Sequence, residues 1–191
     1  MKALAINGSP RPDGNTAALL QMVLDELAAR GVDIELYQLG GRRTSGCIAC
    51  YKCYEEKDGR CAITGDPFNE LFGKMVEADA VIMGTPTYVA DVSPELKAFI
   101  DRATLVCRAN GGPLRRKVGA AVVAVRRAGG IHAFDSINHF FTINEMIVPG
   151  SSYWNIGVGR EKGDVEGDEE GVRTMRRLGE NMAWLLDRVA A

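Results

Sequence analysis

Long hydrophobic runs are absent from this sequence. No apolar stretch approaches the roughly 20 residues that a membrane-spanning helix requires, which argues against an integral membrane protein. The apolar start, Ala3-Leu4-Ala5-Ile6, stops at Asn7-Gly8 and is too short for the hydrophobic region of a secretory signal peptide. We therefore expect a cytoplasmic protein.

An excess of charge of one sign is also lacking. The chain has 23 Lys and Arg against 25 Asp and Glu, a formal net charge of −2. No basic field is available to attract nucleic acid or an anionic membrane, so we expect neither as a partner. A length of 191 residues fits one domain, 1–191, that can bury a core without disulfide or metal staples.

Strand-like and helix-like patterns alternate along almost the whole chain. We expect strands at Lys2–Ile6, Asp33–Leu39, Ala78–Gly84, Val118–Val125 and near Met146–Val148, and helices starting at Asn15 and at Ser93-Pro94 and spanning about Pro67–Glu77, Ile131–Glu145 and Glu169–Val189. Ser93 would cap the first free amides of its helix. Apolar runs such as Ala80–Met83 indicate strands buried on both faces. The pattern predicts an α/β fold, a doubly wound five-stranded parallel sheet with helices on both faces.

Two segments depart from this alternation. One is a cysteine-rich loop at residues 46–61, and the other is a stretch at residues 150–168 that is rich in glycine and charge. We interpret both as insertions into the scaffold. Tyr153 and Trp154 are expected to be exposed there, where they could serve a contact between subunits.

The loop after the first strand has the composition of a phosphate site. Residues 8–16, Gly-Ser-Pro-Arg-Pro-Asp-Gly-Asn-Thr, combine hydroxyls, glycines and an arginine just before a helix. A helix N-terminus presents free amides and partial positive charge, which attract phosphate. The loop lacks the Gly-Lys-Ser/Thr of a Walker A motif and the spacing of a dinucleotide site, so a monophosphate ligand fits better. The alternative is an ordinary turn with Asn15 as a cap.

Several motifs together resemble the NAD(P)H-dependent FMN reductase family. They are Asn7-Gly8-Ser9-Pro10-Arg11 with Gly14-Asn15-Thr16, then Gly84-Thr85-Pro86-Thr87-Tyr88, Ser93-Pro94, Leu96 to Arg102, Arg126-Arg127-Ala128-Gly129-Gly130 and Gly167 to Gly171. The matches run from residue 3 to about residue 180. Any one of them alone is weak, and together they are specific.

The resemblance implies a flavodoxin-like fold with FMN at the ends of the first, third and fourth strands. By position, the phosphate would be held by Ser9, Arg11, Asn15 and Thr16. The isoalloxazine ring would be framed by Pro86, Thr87, Tyr88, Val89 and Asp91. Arg126 with Gly129 and Gly130 would approach the polar edge of the ring, where donors and a cation stabilise reduced flavin. The competing interpretations are a partly buried core tyrosine for Tyr88 and a solvated rim for the two arginines.

Four of the five cysteines lie close together in the sequence. Cys47, Cys50 and Cys53 form a C-x-x-C-x-x-C run, and Cys61 follows after seven residues. In a reducing compartment, clustered cysteines indicate metal ligands or redox groups before structural disulfides. The run resembles the iron–sulfur flavoprotein branch of the same family, which implies a [4Fe–4S] cluster held by these four thiolates.

Other interpretations of the cysteines stay open. Four thiolates also suit tetrahedral zinc, although this spacing crowds three ligands. Cys47 and Cys50 could form a redox-active thiol pair, or the loop could bind no metal. Cys107 is expected to be a small buried residue, and His132 and His139 are expected to be surface or hydrogen-bonded residues without a catalytic role.

Three functions follow from these observations. The leading hypothesis is electron transfer, in which FMN exchanges two electrons and the cluster one at a time, with a partner such as ferredoxin. The second is a cluster-free flavin or quinone reductase that takes hydride from NAD(P)H, and the third is a flavin-binding redox sensor that turns nothing over. The resemblance also implies a homodimer or homotetramer with the flavin near a subunit interface.

Overall fold

Five parallel strands form one sheet, in the order β2-β1-β3-β4-β5. The computed structural model describes residues 1–189. Its strands are Lys2–Asn7 (β1), Asp33–Gln38 (β2), Ala80–Pro86 (β3), Val118–Val125 (β4) and Ile156–Val158 (β5). Every neighbouring pair is parallel, which confirms the predicted sheet.

Helices cover both faces of this sheet. They are Asn15–Ala28 (α1), Lys52–Glu56 (α2), Phe68–Glu77 (α3), Pro94–Ala109 (α4), Gly130–Ile143 (α5) and Glu169–Val189 (α6), with a short 3-10 helix at Asp164–Gly167. Helices α1 and α6 share one hydrophobic core, and α3, α4 and α5 share the other. No helix within residues 1–189 is both long enough and apolar enough to span a membrane.

Alternation along the strands divides the two cores. Leu4 and Ile6 of β1 pack on the α3–α5 side, whereas Ala3 and Ala5 pack on the α1–α6 side. Successive side chains of a strand point to opposite faces, so burial of all four requires helices on both sides. The doubly wound fold class is thereby confirmed.

Strand order reverses at β1. The chain runs from β1 to β2 on one side of it and then crosses to β3 on the other side. In open parallel sheets, the connections at such a point leave in opposite directions and open a crevice at the carboxyl ends of the strands. The loops after β1, β3 and β4 all lie at this end of the sheet.

The expectation of a fifth strand near Met146–Val148 is wrong. Ile147 makes only an isolated bridge to Val118, and the edge strand is Ile156–Val158, paired with Val123–Val125. Pro149 follows the first run, and its lack of an N–H stops a ladder there. The buried Asn155 instead donates through Nδ2 to Ala121 O at 2.9 Å and places the next run beside β4.

Two other differences concern residues 46–61 and 150–168. The second segment, which was expected as an insertion, contributes β5 and the 3-10 helix to the fold. The first contains the five-residue helix α2, so residues 1–189 hold six α-helices rather than the expected five. Helix α2 buries no residue, and without a buried face it leaves no periodic apolar signal.

The close contact of α6 with α1 requires a glycine at position 179, because no side chain fits there. A Cβ added at Gly179 would lie 2.5 Å from Glu26 Cβ and 2.8 Å from Val23 O, whereas one added at Gly73 in α3 would meet no heavy atom within 4 Å. We expect Gly179→Ala to lower the free energy of unfolding by about 1–3 kcal/mol, because the two helices must separate. The matched control Gly73→Ala should raise it by up to about 1 kcal/mol through helix propensity. Urea unfolding of both variants measures the difference, and equal shifts would contradict the packing argument.

Candidate functional site

The predicted phosphate loop is held by buried amide side chains. Asn7, fully buried at the end of β1, accepts the Ser9 N–H through Oδ1 at 3.0 Å and donates through Nδ2 to Gln38 Oε1 at 2.7 Å. Gln38 in turn donates through Nε2 to Ser9 O and Gly40 O, both at 2.7 Å. The ends of β1 and β2 therefore fix the start of the loop. Sequence reasoning missed Asn7 and Gln38 as a pair because they are 31 residues apart.

Close backbone contacts hold the loop between its neighbouring strands. The Gly8 N–H donates to Gly84 O of β3 at 2.8 Å. On the other side, a Cβ at Gly40 would lie 2.2 Å from the Ser9 carbonyl carbon. Only a glycine fits at position 40 while the loop keeps this path.

Three of the four predicted phosphate ligands lie together in the loop after β1 and in the first turn of α1. The Ser9 hydroxyl accepts the Arg11 N–H at 3.2 Å, Thr16 is buried in the first turn of α1, and Arg11 is exposed. Gly14 is the N-cap of α1 and has no side chain that could accept a hydrogen bond from the first amides of the helix. The first amides of a helix have no partner within it, so the N–H groups at this turn are available to a ligand.

The side chain of Asn15 makes two long-range hydrogen bonds. Its Nδ2 donates to Glu161 O at 2.9 Å, and its Oδ1 accepts the Gly163 N–H at 2.9 Å. Lys162 and Asp13 form an ion pair beside these bonds, which lowers the pKa of the Asp13 carboxyl. Asn15 thus joins the phosphate loop to the segment after β5. The partners are 146 and 148 residues away, and no local pattern could reveal them.

The turn after β3 has a strained backbone. Tyr88 and Asp91 exchange backbone hydrogen bonds of 2.8 and 3.0 Å, and between them Val89 and Ala90 adopt φ values of 50° and 60°. A β-branched residue at positive φ is uncommon and costly. Val89 is fully exposed and Tyr88 is 44% exposed, so Tyr88 is not the core tyrosine of the competing interpretation.

Anchors on both sides keep this turn in place. Thr87 donates to Ala124 O of β4 through its N–H at 2.9 Å and through Oγ1 at 3.1 Å. Asp91 Oδ1 accepts the Val92 N–H and the Ser136 hydroxyl of α5, both at 2.8 Å. The Asp91 carboxylate is therefore engaged in holding the turn against α5.

Glycines let the loop after β4 approach the same turn. Gly129 has φ +85°, and a Cβ there would lie 3.0 Å from Ala90 Cα and Cβ. Gly130 is buried against Val125 and Ile156. Arg126 and Arg127 are exposed at the rim. The loops after β1, β3 and β4 thus meet at one end of the sheet.

Ser93 departs from its expected role as a cap. Its N–H donates to Thr85 Oγ1 at 2.9 Å, but its own hydroxyl makes no capping bond to α4. This fully buried Oγ has no hydrogen-bond partner among the described residues and would lie 3.0 Å from a Cβ at Gly8. A buried hydroxyl left open beside the loop fits a site that receives a polar group.

The four clustered cysteines line one pocket. Cys47 and Cys50 are exposed, while Cys53 and Cys61 are half-buried against the core of α3–α5. Leu105 and Val106 of α4 form part of the pocket wall. Three non-glycine residues of the loop, Ala49, Tyr51 and Lys57, have φ between 50° and 57°. All five cysteines are free thiols, and Cys107 is buried as expected.

Amide side chains outside the cysteine loop hold its second half. Asn69 of α3 accepts the Cys61 N–H at 2.8 Å and donates to Cys61 O at 2.9 Å. Asn110, which follows α4, accepts the Gly59 N–H at 2.9 Å. Both were missed from the sequence because an isolated Asn carries no functional signal.

The four clustered thiols line the same pocket, but they are not close enough together to form a metal-binding group within residues 1–189. Burial raises the pKa of the Cys53 thiol, and Cys61 and Cys50 raise it further. Over residues 1–189, no three Cys, His, Asp or Glu side chains stand close enough together to hold a metal ion. His132 and His139 are exposed on α5, in agreement with the prediction of surface residues.

A buried ion pair lies behind the cysteine pocket. Arg102 of α4 donates through Nη1 to Asp66 Oδ2 at 2.5 Å, and its guanidinium centre lies 4.1 Å from the centre of the Phe68 ring. Burial alone would raise the pKa of the Asp66 carboxyl, but hydrogen bonds from Arg102 and from the Ser45 and Phe68 N–H groups hold it below its usual value.

The sheet order and the three converging loops define a flavodoxin-like α/β protein. A flavodoxin from the domain Archaea superposes with a TM-score of 0.63 at 16% identity, over 98% of this chain and 99% of that one. RosB, solved with the bound intermediate 8-demethyl-8-formylriboflavin-5'-phosphate, superposes with a TM-score of 0.80 at 19% identity, over all of this chain and 80% of RosB.

Sequence comparison identifies the family. Residues 1–161 match the family described as NADPH-dependent FMN reductase. An iron-sulfur flavoprotein of Methanocaldococcus jannaschii is 40% identical over 190 residues, which cover 96% of each chain. The chain therefore belongs to the NADPH-dependent FMN reductase family, and it is an FMN-dependent oxidoreductase.

The contact between Gly40 and the phosphate loop predicts a sharp effect on flavin binding. In Gly40→Ala the new methyl group must displace the Ser9 backbone, so we expect FMN to bind at least about tenfold more weakly, a loss of about 1.4 kcal/mol. Gly46→Ala is the matched control, because a Cβ there meets no heavy atom within 4 Å. Quenching of FMN fluorescence measures both affinities. Wild-type affinity in Gly40→Ala would show that the loop does not hold the flavin.

The Asp66 pair predicts an acid-sensitive contribution to stability. The pKa of Asp66 is lower in the folded state than its ordinary value of 3.8. The ionised carboxylate therefore stabilises the fold fully when the pH is above 3.8, and this contribution is lost as the pH falls through the folded-state pKa. Asp66→Asn should cost about 3 kcal/mol at pH 7, and this difference should shrink below about pH 4. Asp101 is half-exposed and pairs with Lys97, so Asp101→Asn should cost under about 1 kcal/mol. Urea unfolding across pH is the measurement, and a difference independent of pH would refute the linkage.

Proposed function

We propose that this protein transfers electrons between FMN and a [4Fe–4S] cluster whose ligands are Cys47, Cys50, Cys53 and Cys61. The observation that carries the proposal is that all four thiols line one pocket against α4. An all-sulfur donor set is the one that such clusters use, whereas zinc more often has ligands spread over two separate pairs. The name of the relative from Methanocaldococcus jannaschii, an iron-sulfur flavoprotein, supports the same assignment.

The proposal requires the exposed half of the loop to move. Cys53 and Cys61 pack against the core and would keep their places. Cys47 and Cys50 are exposed, so their side chains can turn inward without breaking core packing. The left-handed residues Ala49, Tyr51 and Lys57 already bend the chain around the pocket.

The FMN site that we propose combines the three converging loops. The first amides of α1 with Ser9, Arg11 and Thr16 would hold the phosphate. Pro86 to Val89 and Arg126 would lie along the ring system. Asn15, Asp91, Gly129 and Gly130 would act by holding the loops together, since their side chains or backbone already pack within the protein.

Helix α4 links the two sites. It begins directly after the flavin turn, at Ser93-Pro94, and Arg102 at the cysteine pocket lies eight residues along it, about 12 Å of helix rise. When bound, FMN would supply two-electron chemistry and the cluster one-electron chemistry. The chain would keep the two groups at a fixed separation along α4. One-electron partners such as ferredoxin fit this arrangement.

A cluster-free NAD(P)H-dependent flavin or quinone reductase is the second candidate. It is favoured by the spacing of the thiols, because within residues 1–189 no three of them are close enough together to bind one metal ion. In that case the cysteine loop would be a lid over α4, and NAD(P)H would reduce FMN directly.

We also propose a cytoplasmic homodimer or homotetramer. Tyr153 and Trp154 support the self-association, because they are 57% and 52% exposed and their ring centroids are 4.8 Å apart. Such an aromatic pair beside the edge strand β5 is typical of a contact between subunits. The five free thiols fit a reducing compartment.

Iron and acid-labile sulfide per FMN, in protein purified without oxygen, test the proposal. We expect about four of each per flavin, and Cys53→Ser should abolish most of both while FMN is retained. Cys107→Ala is the matched control: Cys107 is buried on α4 and is not among the residues that line the pocket, so this variant should keep its iron.

Flavin without iron in the wild-type protein would contradict the cluster. The reductase would then stand, and oxidation of NAD(P)H with a flavin or quinone acceptor would measure it. Equal iron loss in Cys53→Ser and Cys107→Ala would refute the ligand assignment.

A further inference from the structure

Arg102 connects the two ends of the cysteine segment. Its Nη1 donates to Ser45 O at 3.1 Å, and its Nη2 donates to Ile63 O at 3.1 Å. Ser45 lies two residues before Cys47, and Ile63 lies two residues after Cys61. One side chain on the rigid helix α4 therefore closes the loop that carries all four thiols.

Asp66 completes this arrangement. Its Oδ2 accepts both the Arg102 guanidinium at 2.5 Å and the Ser45 N–H at 3.0 Å. The side chains of the pair are 0% and 4% exposed, and the Phe68 ring covers the guanidinium. Taking such a pair out of water is costly, and an apolar side chain at position 102 would avoid that cost. The pair is therefore not explained by stability alone.

One donor of Arg102 is left without a partner. Arg102 forms part of the wall of the cysteine pocket. Its Nε–H is buried and has no hydrogen-bond acceptor among residues 1–189. A buried donor in the wall of a pocket lined by thiols is available to an anionic sulfur atom there.

We propose that Arg102 is the positioning residue of the cysteine pocket: it fastens both ends of the loop and donates its Nε–H to a ligand sulfur of the bound cluster. This inference rests on the proposed iron–sulfur function. Lysine cannot replace it, because its three N–H groups share one nitrogen, whereas Arg102 spreads its donors over Nη1, Nη2 and Nε. Since Asp66 balances the charge, the effect on the cluster comes from the hydrogen bond and from order in the loop. Hydrogen bonds to cluster sulfurs stabilise the more negative reduced form, so their loss lowers the reduction potential.

The test compares Arg102→Lys with Phe99→Leu. Phe99 is fully buried one turn earlier on α4 and packs on Phe68, as Arg102 does, but it does not hold the loop. In metal-free protein we expect Arg102→Lys to speed amide hydrogen exchange of residues 45–63 about tenfold or more, with FMN binding unchanged. In protein purified without oxygen, the variant should retain less than about half the iron, and the remaining cluster should have a lower reduction potential. Phe99→Leu should change none of these readouts.

Wild-type exchange rates, iron content and potential in Arg102→Lys would overturn the inference. If the wild-type protein itself holds no iron, the proposed function fails, and unchanged exchange in residues 45–63 would then overturn the positioning role as well. Should Arg102→Lys not fold, Asp66→Asn removes an anchor of the same loop and should also speed exchange there. Unchanged exchange in that variant would contradict the inference.

Discussion

The carboxyl end of β1 is held from both sides, and the proposed flavin site depends on this arrangement. Asn7 O accepts the N–H groups of Leu39 and Gly40 after β2, while the Gly8 N–H donates to Gly84 O of β3. The Asn7 side chain then fixes Ser9. The first loop is thus pinned between two strands before it reaches α1, and the helix amides are aimed from a rigid base. A loop tethered only at its own ends could not present these groups in one geometry.

Side-chain hydrogen bonds also link the loops of the proposed flavin site to the rest of the chain. Thr87 bonds to β4, Asp91 to α5, and Asn15 to the segment after β5. Each uses a polar side chain to hold a loop in place. The strained Val89-Ala90 turn persists because both of its flanks are fixed. Helix α4 leads from this turn to the cysteine pocket, where the Arg102–Asp66 pair closes the cysteine loop.

Much of this molecule could be predicted from the sequence. Runs such as Val118–Val125 indicated strands buried on both faces, because an apolar run without alternation requires cover on both sides. The loop at residues 8–16 and the cysteine run stood out because their residue types are contiguous. Two sequence predictions were wrong, and in both a pattern of only a few residues was overridden by tertiary contacts. Met146–Val148 has the apolar character of a strand, yet Pro149 interrupts it and Asn155 directs the next run to β4. Ser93 has the sequence position of a cap, yet its hydroxyl makes no capping bond.

The sequence by itself determined the fold class, the phosphate-type loop and the grouping of four thiols, since each depends on residues that are neighbours in the chain. Tertiary structure alone decided which polar side chains hold the loops. Asn7 with Gln38, Asn15 with Gly163, Asn69 with Cys61, and Arg102 with Ser45 and Ile63 are pairings across many residues. A hydrogen bond needs its two atoms within about 3 Å, and that proximity arises only when strands and helices pack. Local sequence patterns show the residue composition and the spacing of apolar residues, whereas these long-range hydrogen bonds depend on the path of the whole chain.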